Sequence, residues 1–241
     1  GELEQLVFLS ATPMADYTER IERSFDTVHV TRALESSPPD TGREILPETN
    51  FGVTNRPLFQ TGEWLATRSD AIENTVTPPG QTLIIVDSVR EVEALAQTLE
   101  HETAYEVGRV YGWKKEGRAA AIDSCDILVG NTAVEVGVDF DRVNRLIFTA
   151  HNPNSALQRL GRMRAQSDIQ DYSVVCITTP SVQDAIVEAA DGGSLSRPEL
   201  ERIFMQTLHQ PGATRPYDDL CATYTRYLWS EATPSLNEMY V

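Results

Sequence analysis

The sequence predicts an α/β fold in which a parallel sheet is flanked by helices, followed by a small helical extension at the C-terminus. Three observations carry this. Short runs rich in Val and Ile alternate with amphipathic segments, the pattern of parallel strands joined by crossover helices. Ser88-Val89-Arg90-Glu91 reads as a capping box opening a helix that runs to Glu100, with Val89, Val92, Leu95, Ala96 and Leu99 at helical spacing. And 241 residues with 41% hydrophobic content leave ample room for a core while excluding collagenous, low-complexity and disordered classes.

The elements follow in order. Strands are predicted at Leu6 to Leu9, Thr27 to Val30, Thr82 to Val86, Tyr105 to Val110, Asp126 to Val129, Arg145 to Phe148 and Tyr172 to Ile177. From Glu35 to Gly80 the prolines 38, 39, 47, 57, 78 and 79 break any long element, which predicts an irregular connection between two structural units. After Pro180 the strand signals cease, and helices are predicted near Val182 to Ala190, Pro198 to His209 and Tyr217 to Trp229. Leu200, Ile203, Phe204 and Leu208 make an apolar stripe read as core packing. Tyr224, Tyr227, Leu228 and Trp229 read the same way, with docking of a protein or stacking of a base as the alternative.

Thirty-six acids against 20 bases give a net charge of −16, and only two of the bases are lysine. Such a field repels nucleic acid overall. It fits a chain working in a salt-rich cytoplasm, where screening cuts the field's reach to about 3 Å at 1 M. No run of eighteen apolar residues and no signal peptide is present, so a soluble, cytoplasmic chain with no membrane partner is expected. Three scattered cysteines (Cys125, Cys176, Cys221) and four scattered histidines (His29, His101, His151, His209) suggest neither a disulfide framework nor a metal site. The opening on Gly1, nine residues before a dense motif, suggests a fragment or a subunit cut from a longer chain.

Three constellations carry chemistry. Leu6-Val7-Phe8-Leu9-Ser10-Ala11-Thr12-Pro13 delivers two hydroxyl residues at a strand end, where ligands sit in open parallel sheets; a strand with a Pro-capped turn is the plainer reading. In the segment 126–140 a buried strand ends at Gly130, Asn131 and Thr132 follow, Gly137 permits close backbone approach, and Asp139 can accept from a sugar hydroxyl; an ordinary strand, turn and strand is equally open. In Asn154-Ser155-Ala156-Leu157-Gln158-Arg159-Leu160-Gly161-Arg162-Met163-Arg164, helical spacing puts Gln158, Arg159 and Arg162 on one face, with Leu157, Leu160 and Met163 on the packing side. Guanidinium groups held together suit bidentate clamping of phosphate oxygens, against a solvated basic face paired with acids. Arg109, Lys114, Lys115 and Arg118 form one further basic cluster beside Gly112.

In this order the segments resemble the C-terminal part of a superfamily 2 nucleic-acid helicase over about residues 6 to 178. Ser10-Ala11-Thr12 is similar to motif III, Leu83-Ile84-Ile85-Val86-Asp87-Ser88 to motif IV, residues 130 to 139 to motif V, and Gln158-Arg159-Leu160-Gly161-Arg162 to motif VI. The wording of 134–140, 146–148 and 157–162 most resembles the helicase of type I CRISPR interference, of the I-D or cyanobacterial kind that lacks a fused HD nuclease. The resemblance implies a RecA-like helicase C-terminal lobe at 81–180, preceded by the end of a first lobe (1–34) and a linker (35–80), and followed by the helical extension (181–241).

It also implies roles. Arg162 would be the arginine finger on the γ-phosphate of ATP, with Gln158 and Arg159 beside it; Gly137 and Asp139 would touch the ribose. Ser88, Gly112, Asn131 and Thr132 would hold the phosphates of a single DNA strand, with Lys114 and Lys115 along its path, and Ser10, Ala11 and Thr12 would couple hydrolysis to lobe closure. Two departures stand out. The family's further arginine, three positions after Arg162, is replaced by Ala165, and on a continuing helix Arg164 points about 200° away, so it substitutes only if the helix has ended. Motif V usually has threonine where Asn131 stands, leaving Asn131 or Thr132 as the phosphate donor.

A Walker A loop needs lysine directly after glycine, and the only lysines, Lys114 and Lys115, follow Trp113. ATP and Mg2+ are therefore expected to be held mainly by a first lobe not contained in this sequence, with the chain inactive by itself and any nuclease a separate partner beside the CRISPR interference complex. The alternatives are another superfamily 2 translocase or RNA helicase lobe, or a degenerate scaffold in which Ala165 and Asn131 mark lost activity.

Overall fold

The computed structural model describes residues 48–57, 60–112, 117–134, 139–166, 168–169 and 171–208. The strands predicted at 6–9 and 27–30 and the helix predicted at 217–229 lie outside them.

Six strands form one sheet: β1 (Asn50–Asn55), β2 (Gln81–Ile85), β3 (Val107–Val110), β4 (Ile127–Gly130), β5 (Val143–Thr149) and β6 (Ser173–Thr178). Their order is β1-β6-β5-β2-β4-β3, and every neighbouring pair is parallel. Seven helices are seen among the described residues: α1 (Thr61–Ala66), α2 (Ser69–Glu73), α3 (Val89–Glu102), α4 (Arg118–Ser124), α5 (Pro153–Leu160), α6 (Pro180–Ala190) and α7 (Arg197–Thr207). None of them is long and apolar enough to cross a membrane.

The central strands β2, β4 and β5 are buried along their whole length because helices cover both faces, which is why apolar runs dominate them. Alternate residues feed two apolar layers. Leu83, Ile85, Leu128, Leu146 and Phe148 pack with Leu157, Leu160 and Met163 and with Leu200, Ile203, Phe204 and Leu208. Ile84, Val86, Ile127, Val129 and Ile147 meet Val92, Leu95, Ala96 and Leu99 of α3 on the other face. The stripe on α7 is thus core packing, as its spacing predicts.

Local signals hold where the sequence is explicit. Ser88 caps α3, its Oγ accepting from the Glu91 amide at 3.2 Å and donating to Glu91 Oε2 at 3.0 Å. Asn152 caps α5 by accepting from the Ser155 amide at 2.8 Å, with Pro153 in the first turn where a missing N–H costs nothing. The stretch from Glu35 to Gly80, however, is not irregular throughout: it contains β1, α1 and α2. Strand β1 lies at the sheet edge and is half exposed, so it carries no apolar run; its ladder to β6, from Asn50 opposite Ser173 to Asn55 opposite Thr178, defines it instead.

Gly130 ends β4 where two elements close on its Cα. A Cβ there would lie 2.6 Å from Val134 Cγ1 and 2.9 Å from the carbonyl oxygen of Val110, a backbone atom that cannot step aside. Gly130→Ala is expected to cost about 1–3 kcal/mol by overpacking, read as a lowered thermal midpoint.

Candidate functional site along the carboxyl edge of the sheet

Because all six strands are parallel, their carboxyl ends share one edge, where open α/β sheets bind ligands. That edge collects Asp87 and Ser88 after β2, Gly112 after β3, Asn131 and Thr132 after β4, and Thr149 to His151 leading from β5 into α5.

The best-built feature on it is a buried ion pair. The Arg159 side chain is 2% exposed, and its Nη1 donates to Asp87 Oδ1 at 3.0 Å, to the Thr149 carbonyl at 2.9 Å and to Thr149 Oγ1. Thr149 Oγ1 donates in turn to Asp87 Oδ1 at 2.9 Å. A buried guanidinium needs a carboxylate partner, and Asp87, delivered by the end of a fully buried strand, is that partner. This corrects the expectation that Gln158, Arg159 and Arg162 share one exposed face: α5 ends at Leu160 with Gly161 as its C-cap, Arg159 turns inward, and only Gln158 and Arg162 remain half-buried at the surface. Leu157, Leu160 and Met163 take the packing side as predicted.

Arg162 therefore stands just past the helix end. Its amide donates to the Arg159 carbonyl at 3.0 Å, and its Nε to the Gln158 carbonyl at 3.3 Å. Arg164, freed from helical rotation, reaches back and pairs with Asp139 at 3.2 Å. That pair is exposed, with 38% and 75% of the two side chains accessible, so it holds weakly.

His151 lies on the same network, its Nε2 3.9 Å from Asp87 Oδ2, and neither atom has a hydrogen-bond partner among the described residues. Burial holds the imidazole below the ordinary histidine range; Asp87 pulls it up, Arg159 pushes it down and Glu91 pulls it up. Since the folded protein withholds a proton that the unfolded chain accepts below about pH 6.5, stability is expected to be full above that value and to fall as the pH drops. Thermal melts at about pH 7 and about pH 5.5 should show this decline, and His151→Asn should flatten it.

The residues expected to touch a nucleic-acid strand are placed unevenly. Thr132 is exposed, in a short 3-10 turn spanning Thr132–Val134. Asn131 is half-buried and caps that turn, its Oδ1 accepting from the Ala133 amide at 3.1 Å. Gly112 is exposed, and a Cβ there would meet Ala133 Cβ at 3.7 Å, an ordinary contact. The Ser88 hydroxyl is occupied as the cap of α3, its proton donated to Glu91, so it has no proton left for a phosphate. Arg109 is likewise no surface cation: it pairs with Glu93 at 2.9 Å and with both oxygens of Glu100. Ser10, Ala11, Thr12, Lys114, Lys115 and Gly137 lie outside the described residues. No group of three or more His, Cys, Asp or Glu side chains among the described residues is gathered as a metal site would need.

The residue types of Asp87, Thr149 and His151 do not mark them in the sequence, although Asp87 sits directly after a strand predicted as buried, which is a usable signal for an edge residue. Arg145 escapes sequence reasoning for the opposite reason, since it opens an apolar run. It is 8% exposed and anchored by Asp171 and by the Thr75 carbonyl at 3.2 Å.

Residues 67–166 match the model of the helicase conserved C-terminal domain. No curated protein sequence matches the chain significantly. Among solved structures, a variant of S. cerevisiae Dbp5 bound to RNA and ADP BeF3 is similar, at 16% identity and a TM-score of 0.50, over 83% of this chain and 54% of that one. The Mycobacterium smegmatis helicase Lhr bound to ssDNA and AMP-PNP aligns at 19% identity and a TM-score of 0.46 over 69% and 23%. A DEAD box protein from Methanococcus jannaschii aligns at 16% and 0.42 over 62% and 41%. The chain thus spans about half the length of the Dbp5 chain and about a quarter of Lhr. The fold is that of a RecA-like helicase C-terminal lobe.

Proposed function

We propose that this chain is the C-terminal motor lobe of an ATP-dependent superfamily 2 DNA helicase or translocase, supplying an arginine finger and single-strand contacts to a complete two-lobed protein. The observation that carries the reading is the division of labour between two arginines three positions apart. Arg159 is locked into the lobe by Asp87 and Thr149, which fixes the end of α5, while Arg162 is presented beyond that end at the surface. A guanidinium held in position by a rigid support is what stabilising charge on a transferring phosphoryl group requires.

Within this reading ATP and Mg2+ are held mainly by the other lobe. Asp139, weakly tied to Arg164, releases it when the ribose arrives, and Arg164 then stands near Arg162 in place of the arginine that Ala165 lacks. Thr132, exposed at the end of β4, donates to a strand phosphate, and Gly112 lets the strand approach β3. The lobe takes in β1 to α7 (residues 50–207), including strand β1 and helices α6 and α7, with 1–34 from the first lobe. We assign the whole protein to type I CRISPR antiviral interference in a salt-rich cytoplasm, with a separate nuclease, on the motif wording and the acidic composition.

The test is DNA-stimulated ATP hydrolysis by the complete protein carrying Arg162→Ala. Lost hydrolysis with DNA binding retained supports the motor; an unchanged rate favours a non-catalytic scaffold. Loss of plasmid interference in cells carrying the same variant tests the CRISPR assignment, and normal interference removes it.

A further inference from the structure

We propose that Arg56, Trp64 and Arg68 form a second phosphate-contacting surface for single-stranded nucleic acid, outside the motif residues; the inference rests on the strand-binding reading given above. Both guanidinium groups lie over one indole ring, Arg56 Cζ at 4.5 Å and Arg68 Cζ at 4.2 Å from the Trp64 ring centroid. Placing two like charges on one ring in a chain of net charge −16 is unusual, because carboxylates are plentiful. Four other arginines take them: Arg109 pairs with Glu93 and Glu100, Arg145 with Asp171, Arg159 with Asp87 and Arg164 with Asp139. No carboxylate of a described residue pairs with Arg56 or Arg68.

What holds these two instead is the ring and one nitrogen each. Arg56 Nη1 donates to the Asn55 carbonyl at 2.6 Å, and Arg68 Nη1 donates to the Trp64 carbonyl at 3.1 Å and to Thr67 Oγ1 at 2.9 Å. The bonds use Nη1 alone, which leaves the remaining N–H groups of each planar fork for an incoming anion. The cations are thus fixed in place without being neutralised, the arrangement that phosphate recognition by arginine favours. Arg68 is exposed and Arg56 half-buried.

The position lies on the same carboxyl edge as the proposed strand path, with β1 and β3 at the two ends of the sheet. Arg56 directly follows β1, at the same carboxyl edge as Thr132 and Gly112. Trp64 lies two residues from Gly62, whose amide donates to Glu91 Oε1 at 3.1 Å, and Glu91 in turn holds the Ser88 hydroxyl at the end of β2. A phosphodiester chain carries a charge at every step and suits two spaced guanidinium groups. An acidic peptide is the competing occupant.

The experiment is fluorescence anisotropy of labelled oligo(dT) with the complete protein over a range of KCl concentrations. Arg56→Gln with Arg68→Gln is expected to weaken binding about tenfold near 0.1 M salt and to lower the slope of log K against log[salt] by about 1.4, at about 0.7 for each phosphate no longer neutralised. Arg68→Gln alone, at an exposed side chain, should give about half that change in slope, and Trp64→Leu part of the same weakening. Unchanged affinity and slope in folded variants, checked by thermal melting, overturn the inference, as does unchanged oligonucleotide binding with abolished binding of poly-glutamate. If Thr132→Val weakens binding and the arginine variants do not, this inference fails and the strand-binding reading survives. If the unaltered protein binds no oligonucleotide, both fail.

Discussion

Arg159→Ala is expected to lower the unfolding free energy by about 3–5 kcal/mol, the usual cost of removing one partner from a buried ion pair. The guanidinium is 2% exposed and its Nη1 serves a carboxylate, a carbonyl and a hydroxyl at once. Its loss strands the Asp87 carboxylate, only 15% exposed, with the Thr149 hydroxyl as its remaining donor. Removing the charge should therefore relieve much of the damage: Asp87→Asn combined with Arg159→Ala should cost less than the sum of the two single changes, since the residues share one network. Urea denaturation of the four proteins measures this. A loss below about 1 kcal/mol for the single variant would mean that the pair does not hold the end of α5.

Arg162→Ala should behave in the opposite way. Three positions along the chain, Arg162 is half-buried at the surface beyond the helix end, and its Nε donates over 3.3 Å to the Gln158 carbonyl. Its removal should cost clearly less stability than Arg159→Ala, about 1 kcal/mol. As an arginine finger it should nonetheless reduce DNA-stimulated ATP turnover by the complete protein about 10³-fold or more, because the lost cation acts on charge that develops only in the transition state. DNA affinity measured in parallel should stay near that of the unaltered protein. A turnover change below about tenfold would remove Arg162 from the chemistry.

These two arginines differ in a way that neighbouring residues in the chain do not encode, whereas much of the core is legible in advance. The central strands announce themselves because a sheet covered on both faces favours apolar residues, and β2, β4 and β5 carry apolar runs at 83–85, 127–129 and 146–148. The start of α3 is equally legible, since an N-cap is a local arrangement: Ser88 caps the helix, with Glu91 holding its hydroxyl rather than closing the box on its backbone N–H. Strand β1 gives no such sign, because an edge strand is defined by its partner β6 rather than by its own side chains. Ser88 and Arg109 mislead in a related way: a hydroxyl and a guanidinium suited to phosphate are occupied by Glu91, and by Glu93 and Glu100, on the neighbouring helix.

By itself the sequence determined the parallel α/β class, the central strands and the helices within 89–102 and 180–207 that pack on them, and the ordering of motif-like segments, all properties of residues adjacent in the chain. It also determined the acidic balance, and with it the scarcity of lysine. Only the tertiary structure decided which of three closely spaced arginines is buried, which is presented and which is paired with Asp139, and it alone brought Arg56 and Arg68 to one ring. The physical reason is that a charge's role depends on its nearest opposite charge. Asp87 lies 72 residues from Arg159 along the chain, yet 3.0 Å away once β2 and α5 are packed.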